Sequence, residues 1–193
     1  TNKLPQIIEA IRNTITKAGG EVKFQCKLTD LILEGDQITG IEINHSEKIA
    51  ATNIVLATGH SARDVFELLH KKNIELEFKP FALGVRIEHQ QSLIDKIQYK
   101  AEARGEFLPP SSYRLATQIN GRGVYSFCMC PGGIIAPCAT SQKEVVTNGW
   151  SPSKRNNPWS NSGIVTEVRY NDIPEFHKYG PLAGMEFQKH VEY

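Results

Sequence analysis

An unbroken apolar run that ends in three small residues dominates the first half of the chain: Asn53-Ile54-Val55-Leu56-Ala57-Thr58-Gly59. A run without polar alternation is typical of a strand covered on both faces in a parallel sheet. Small residues at the carboxyl end of such a strand let backbone approach a flat ligand closely. The run therefore predicts a flavin or dinucleotide contact at its tip, with His60 and Ser61 nearby. An ordinary strand-to-helix turn is the alternative.

The residues around this run follow two simple periodicities. Leu4 to Ala18 has apolar positions at helical spacing and predicts an amphipathic helix. Residues 22–26 and 31–51 alternate apolar and polar side chains, which predicts strands that form a short antiparallel meander, with Cys26 in the core. Residues 61–72 return to helical spacing, so a helix follows the apolar run.

Composition changes near residue 80, where prolines, tyrosines and tryptophans become frequent. Strand-like runs lie at 81–88, 113–118, 123–130, 133–138, 144–147 and 164–168. Helical spacing marks residues 92–98 and 182–191. Many short strands separated by Gly, Pro and Asn predict a mainly antiparallel sheet or partial barrel in this second part.

The overall balance of residues excludes several classes of function. The 193 residues include 22 Lys and Arg against 21 Asp and Glu, a formal net charge of +1, so neither a nucleic-acid arm nor a polybasic membrane anchor is expected. No apolar stretch approaches the ~18 residues of a spanning helix, and no signal peptide opens the sequence. Four cysteines are too few for a disulfide scaffold and suggest a reducing compartment. A cytoplasmic protein is therefore expected.

Cys128 and Cys130 are candidate catalytic residues. Alternation along a strand would place both sulfurs on one face. Neighbouring thiols beside a flavin could relay electrons, and Cys138 could add a third thiolate for a metal. The spacing matches neither a Cys-x-x-Cys redox motif nor a paired zinc motif, so no metal site is predicted. Buried, inert cysteine is the alternative interpretation.

Two alternative functions belong to other classes. Gly59-His60-Ser61-Ala62-Arg63 is one residue short of the Gly-x-Ser-x-Gly nucleophile elbow, with Arg63 where a small residue is needed. A serine hydrolase with Ser61 as nucleophile would then take its acid and base, in the required chain order, from Asp172 and from His177 or His190. The second alternative is that the β-rich part is a non-catalytic interaction module.

Five long blocks of unusual sequence carry a family resemblance. They are NIVLATGHSARDVFELL, KPFALGVRIEHQQSLIDKIQY, NGRGVYSFCMCPGG, VVTNGWSPSKRNNPWSNSGIV and GPLAGMEFQ. Together they resemble the bacterial FAD-dependent dehydrogenases of the glutathione-reductase-like flavoprotein superfamily. The resemblance implies an α/β protein, or an α+β fragment of one. An incomplete FAD-binding Rossmann-like domain would cover residues 1–79, a mainly antiparallel β substrate domain 80–170, and a return segment to the FAD domain 171–193.

The same resemblance implies an oxidoreductase that uses FAD and a small-molecule substrate or an electron donor such as NAD(P)H. Ala57, Thr58 and Gly59 would lie at the superfamily's second FAD-contact motif. Such proteins normally begin with a strand, Gly-x-Gly-x-x-Gly and a helix, and this sequence contains no such fingerprint. Because that turn supplies backbone N–H groups to the pyrophosphate, the chain is expected to be an inactive internal fragment that binds FAD weakly or not at all.

Overall fold

The computed structural model describes residues 3–193 and divides them into two compact units. The first unit ends at Glu77, and the second covers Phe78–Tyr193. Each unit has its own sheet, so each is described by itself.

The first unit combines two helices with a three-stranded meander. Its elements are α1 (Leu4–Lys17), β1 (Leu28–Glu34), β2 (Gln37–Ile43), β3 (Glu47–Ala50) and α2 (Arg63–Lys71). The strands pair in the order β1-β2-β3, and both pairs are antiparallel. The N-terminal helix, the strands of residues 31–51 and the helix after the apolar run are therefore confirmed. Leu31 and Ile43 are the buried apolar residues of this sheet.

The segment between α1 and β1 does not form its predicted strand. Cys26 is exposed rather than in the core, and Phe24 is 69% exposed. The side-chain amide of Asn44 takes the backbone hydrogen bonds here. It accepts a hydrogen bond from the N–H of Lys27 at 2.9 Å and donates one to the carbonyl oxygen of Gln25 at 2.9 Å. A side chain thus holds the segment where a strand ladder was expected.

The parallel strand predicted for residues 53–59 is wrong. Residues 53–59 form no strand, and Val55 is 91% exposed. Every strand pair among the described residues is antiparallel, so residues 3–193 contain no Rossmann-type parallel sheet. An unbroken apolar run is typical of a strand that is buried on both faces, but burial requires neighbouring elements that pack against it. The three strands of the meander do not pack against this run.

The second unit is built on an antiparallel four-stranded sheet. Its elements are β4 (Phe81–Gln90), α3 (Gln91–Tyr99), β5 (Ala116–Ile119), β6 (Arg122–Cys130), β7 (Ile134–Pro137), β8 (Thr147–Trp150), β9 (Trp159–Val168) and α4 (Ala183–Glu192). The sheet order is β4-β9-β6-β5, and β7 and β8 form a separate hairpin. With four α-helices among the described residues, the fold is α+β with mainly antiparallel sheets.

Most predicted strands of the second unit form, with three differences. Residues 113–115 lie outside β5, residues 144–146 lie outside β8, and β9 begins five residues before the predicted start at Ile164. At Leu115 the backbone N–H donates to the hydroxyl of Ser126 at 2.8 Å, so a side chain replaces part of the ladder there. The extra length of β9 comes from pairing with β4, which reaches from Trp159 to Val168.

One end of the large sheet carries the core of the second unit. Val168, Ile173 and Ala183 are buried there, and Phe78, Phe81, Leu83, Tyr170, Phe176 and Phe187 pack against them. Residues 171–193 belong to the second compact unit, and their role as a return segment to the FAD domain stays a prediction. Two 3₁₀ segments, Tyr170–Asp172 and Pro174–Leu182, lead the chain from β9 into α4.

None of the helices in residues 3–193 has both the length and the apolar character that a membrane-crossing helix requires.

Candidate functional site

The predicted cofactor residues lie on an exposed stretch between β3 and α2. Within the described part of the chain, residues 53–60 make no main-chain hydrogen bond to another segment. Gly59 has a φ of +76°, and a Cβ placed there would meet no atom within 4 Å. Unpaired backbone groups and missing side chains suit close contact with a flat molecule. The stretch that contains Ala57, Thr58, Gly59, His60 and Ser61 is therefore open to contact by another molecule, and its role as a flavin contact stays a prediction.

The residues of the hydrolase alternative are engaged separately. The hydroxyl of Ser61 lies 3.2 Å from Nδ1 of the adjacent His60. Both carboxylate oxygens of Asp172 accept hydrogen bonds from Arg122 at 2.6 Å. The side-chain hydrogen bond from Arg122 is the main reason that the pKa of Asp172 falls to about 2. The Nε2 of His177 lies 2.8 Å from the carbonyl oxygen of Tyr170. Asp172 and His177 therefore bond to other groups and do not form the acid–base pair of a catalytic triad.

The second unit contains a pocket of about 550 Å³ beside β6. It forms where the extended segment before β5 runs along that strand, held by the N–H of Ser126, which donates to the carbonyl oxygen of Leu115 at 2.8 Å. Its lining residues are Ser112, Tyr113, Arg114, Leu115, Ala116, Tyr125, Ser126, Cys128 and Met129. The volume falls within the range of about 300–1,000 Å³ that is usual for small-molecule sites.

A hydrogen-bonded pair borders this pocket. The hydroxyl of Tyr113 lies 2.8 Å from Nε2 of His89, and their rings meet edge to face with centroids 5.7 Å apart. Burial raises the pKa of Tyr113, and a hydrogen bond from Ser162 opposes that effect. The contact with the imidazole therefore holds the phenol in one orientation.

Cys128 lines the same pocket from an irregular part of β6. The pairing of β6 with β9 shifts register between Phe127 and Cys130, and Cys128 takes a φ of +50°. Its carbonyl oxygen accepts from Nη1 of Arg86 at 3.2 Å and from the thiol of Cys130 at 3.4 Å. These two bonds stabilise a left-handed conformation that a non-glycine residue rarely adopts.

The bulge separates the two cysteines by burial. Cys128 is exposed, whereas Cys130 is 7% exposed. Burial is the main reason that the pKa of the Cys130 thiol is raised, and the neighbouring Cys128 raises it further, against the opposing charge of Arg86. The sulfurs are therefore neighbours of unequal accessibility, and Cys128 is the one that a ligand can reach.

Arg86 links this bulge to the centre of the sheet. Its Nη1 donates to Oδ1 of Asn161 at 2.7 Å, and within the described residues it makes no ion pair with a carboxylate. Asn161 is fully buried, and its Nδ2 has no hydrogen-bond partner among residues 3–193. The backbone of Gly149 packs closely against both side chains. A Cβ at this position would overlap Arg86 and Asn161 and would lie 2.7 Å from the sulfur of Cys130.

Sequence reasoning missed the residues that the fold brings together here. Tyr113 and His89 are 24 residues apart, and neither belongs to a recognisable motif. Asn161 follows Cys130 by 31 positions and meets it only because β9 pairs with β6. The single usable signal was the polar stretch at Ser160-Asn161-Ser162, which is unusual for a strand at the centre of a sheet.

No group of three or more His, Cys, Asp or Glu side chains in residues 3–193 is arranged to hold a metal ion. Fold and site together define an α+β protein whose second unit has a pocket at the side of an antiparallel sheet. Its residues 80–193 match the family described as "FAD-dependent protein, C-terminal domain-like", and the chain belongs to that family.

A relative from Clostridium beijerinckii, named "Uncharacterized protein", is similar to the whole chain. The two are 40% identical over 194 aligned residues, which cover 100% of this chain and 36% of the relative. The chain thus spans about a third of the length of this relative.

Proposed function

We propose that this chain is part of an FAD-dependent oxidoreductase and that residues 78–193 form its substrate domain. The family match over residues 80–193 carries this proposal. The pocket beside β6 supports it, because a flavoprotein needs a place for the second reactant, and this pocket has the size of a small-molecule site.

The cofactor contact is proposed for Ala57, Thr58 and Gly59, with His60 and Ser61 next to them. The support is their exposed backbone and the open space around Gly59. FAD, when bound, would accept or donate the hydride. The chain's own residues would position the substrate and supply hydrogen bonds to it, and an electron donor such as NAD(P)H is the proposed partner.

The decisive experiment uses the longer protein that contains this chain. Purified protein should show the visible absorption bands of bound flavin. Gly59→Val should reduce the bound flavin, because a β-branched side chain strains the positive φ and fills the open space.

Gly105→Val is the matched control, since Gly105 has the same φ of +76° and equally open surroundings. Its variant should keep the flavin. A colourless wild-type protein would refute the oxidoreductase proposal, and equal flavin loss in both variants would refute the role of Gly59.

A further inference from the structure

The residues that line the pocket beside β6 carry positive charge and no negative charge. None of its nine lining residues is acidic, and Arg114 is its one cation. Arg114 is exposed, and within the described residues no ion pair or side-chain hydrogen bond occupies its guanidinium. A guanidinium without a competing carboxylate favours an anion, and its planar donors match the two oxygens of a carboxylate.

Beside this cation the pocket offers an aromatic side chain that is held in place. The hydroxyl of Tyr113 lies 2.8 Å from Nε2 of His89, and the two rings meet edge to face. The hydroxyl is therefore already engaged within the second unit, and Tyr113 contributes to the pocket as part of its lining.

The rest of the lining is apolar or aromatic. Leu115, Ala116, Met129 and the ring of Tyr125 supply these surfaces. A ligand of this pocket therefore needs an apolar body as well as its polar groups.

We propose that the pocket binds a small organic carboxylate with an apolar body. The carboxylate pairs with Arg114, and the apolar body lies against the apolar and aromatic side chains of the lining. This inference rests on the proposed function, because it names the substrate class of the same domain.

The test measures binding by the chain of 193 residues directly. Benzoate, phenylacetate and phenylbutyrate are titrated against their primary amides, and backbone amide resonances are followed by NMR. The carboxylates should shift resonances of residues 112–116 and 125–129, and at least one should bind about three- to fivefold more tightly than its amide.

Arg114→Gln should abolish the preference for the carboxylate over the amide. Arg155→Gln, which removes an exposed arginine that does not line this pocket, should keep the preference. Resonances outside the pocket report whether each variant remains folded.

The inference would be overturned by the absence of a shift at the pocket with every probe, by equal affinity for acid and amide in the wild-type chain, or by an unchanged preference in Arg114→Gln. The proposed function fails separately, because a longer protein without flavin leaves carboxylate binding by this chain unaffected. In the longer protein, Arg114→Gln should retain the flavin spectrum. Loss of flavin in that variant would also overturn the inference, since Arg114 would then serve the cofactor.

Discussion

Gly149→Ala tests the packing beneath the cysteine bulge. A methyl group at this position would overlap Nη1 of Arg86 and Oδ1 of Asn161 and would lie 2.7 Å from the sulfur of Cys130. Overpacking a well-filled site costs about 1–3 kcal/mol. Breaking a hydrogen bond from a charged group costs about 1.5–3 kcal/mol.

Moving Arg86 or Asn161 relieves the overlap but breaks the hydrogen bond between them, so the two costs are alternatives and do not add. We expect the free energy of unfolding of the second unit to fall by up to about 3 kcal/mol, and its melting temperature by up to about 10 °C. Urea unfolding followed by tryptophan fluorescence is a suitable assay, because Trp150 and Trp159 both lie in the second unit.

Gly123→Ala is the control. Gly123 is also a strand glycine, but a Cβ there would meet no atom within 4 Å, so this variant should be at least as stable as the wild type. A native thiol titration gives a second measurement, since Cys26, Cys128 and Cys138 are exposed and Cys130 is buried. Gly149→Ala should make Cys130 react faster. Equal urea midpoints for the two variants, with Cys130 still protected in both, would refute the proposed packing.

Other parts of the molecule give four further predictions. Ile173 is 2% exposed, so Ile173→Ala should lower the free energy of unfolding of the second unit by about 2–5 kcal/mol in the same urea assay; a loss below about 1 kcal/mol would contradict its place in the core. The pKa of Asp172 falls from 3.8 to about 2, mainly because of its hydrogen bond from Arg122. The ionised carboxylate therefore stabilises the fold at pH values above the ordinary carboxyl pKa, and this stabilisation disappears as the pH falls towards 2. Asp172→Asn should therefore be less stable near neutral pH and lose less stability on acidification, whereas parallel curves would contradict the ion pair. The isolated chain should bind flavin weakly or not at all, so yellow protein with tightly bound flavin would contradict our interpretation. Ser61 in the folded chain should not react with a fluorophosphonate probe, and a labelled Ser61 would favour the hydrolase alternative.

Local periodicity was enough to find most elements of this protein. The helices at Leu4–Lys17, Gln91–Tyr99 and Ala183–Glu192 follow from apolar spacing, which depends only on neighbours three or four positions away. The strands β4 and β6 follow in the same way from alternation. The sequence pattern that predicts each of these elements lies within the element itself.

The segment 53–59 shows why the same reasoning fails elsewhere. Its apolar run indicates a strand suited to burial, yet burial depends on neighbouring strands that local sequence does not supply, and Val55 is 91% exposed. At Leu115 and Lys27 a side chain takes the backbone hydrogen bond, which no periodic pattern predicts.

The sequence by itself determined the types of most elements, the change of composition near residue 80 and the family resemblance, because each of these depends on short stretches of residues. Only the tertiary structure decided that Tyr113 meets His89, that Arg86 bonds to Asn161, and that Cys130 is buried while Cys128 is exposed. These contacts join residues up to 75 positions apart. The physical reason is that strand order and the bulge in β6 set which side chains meet, and both arise from pairing between distant parts of the chain.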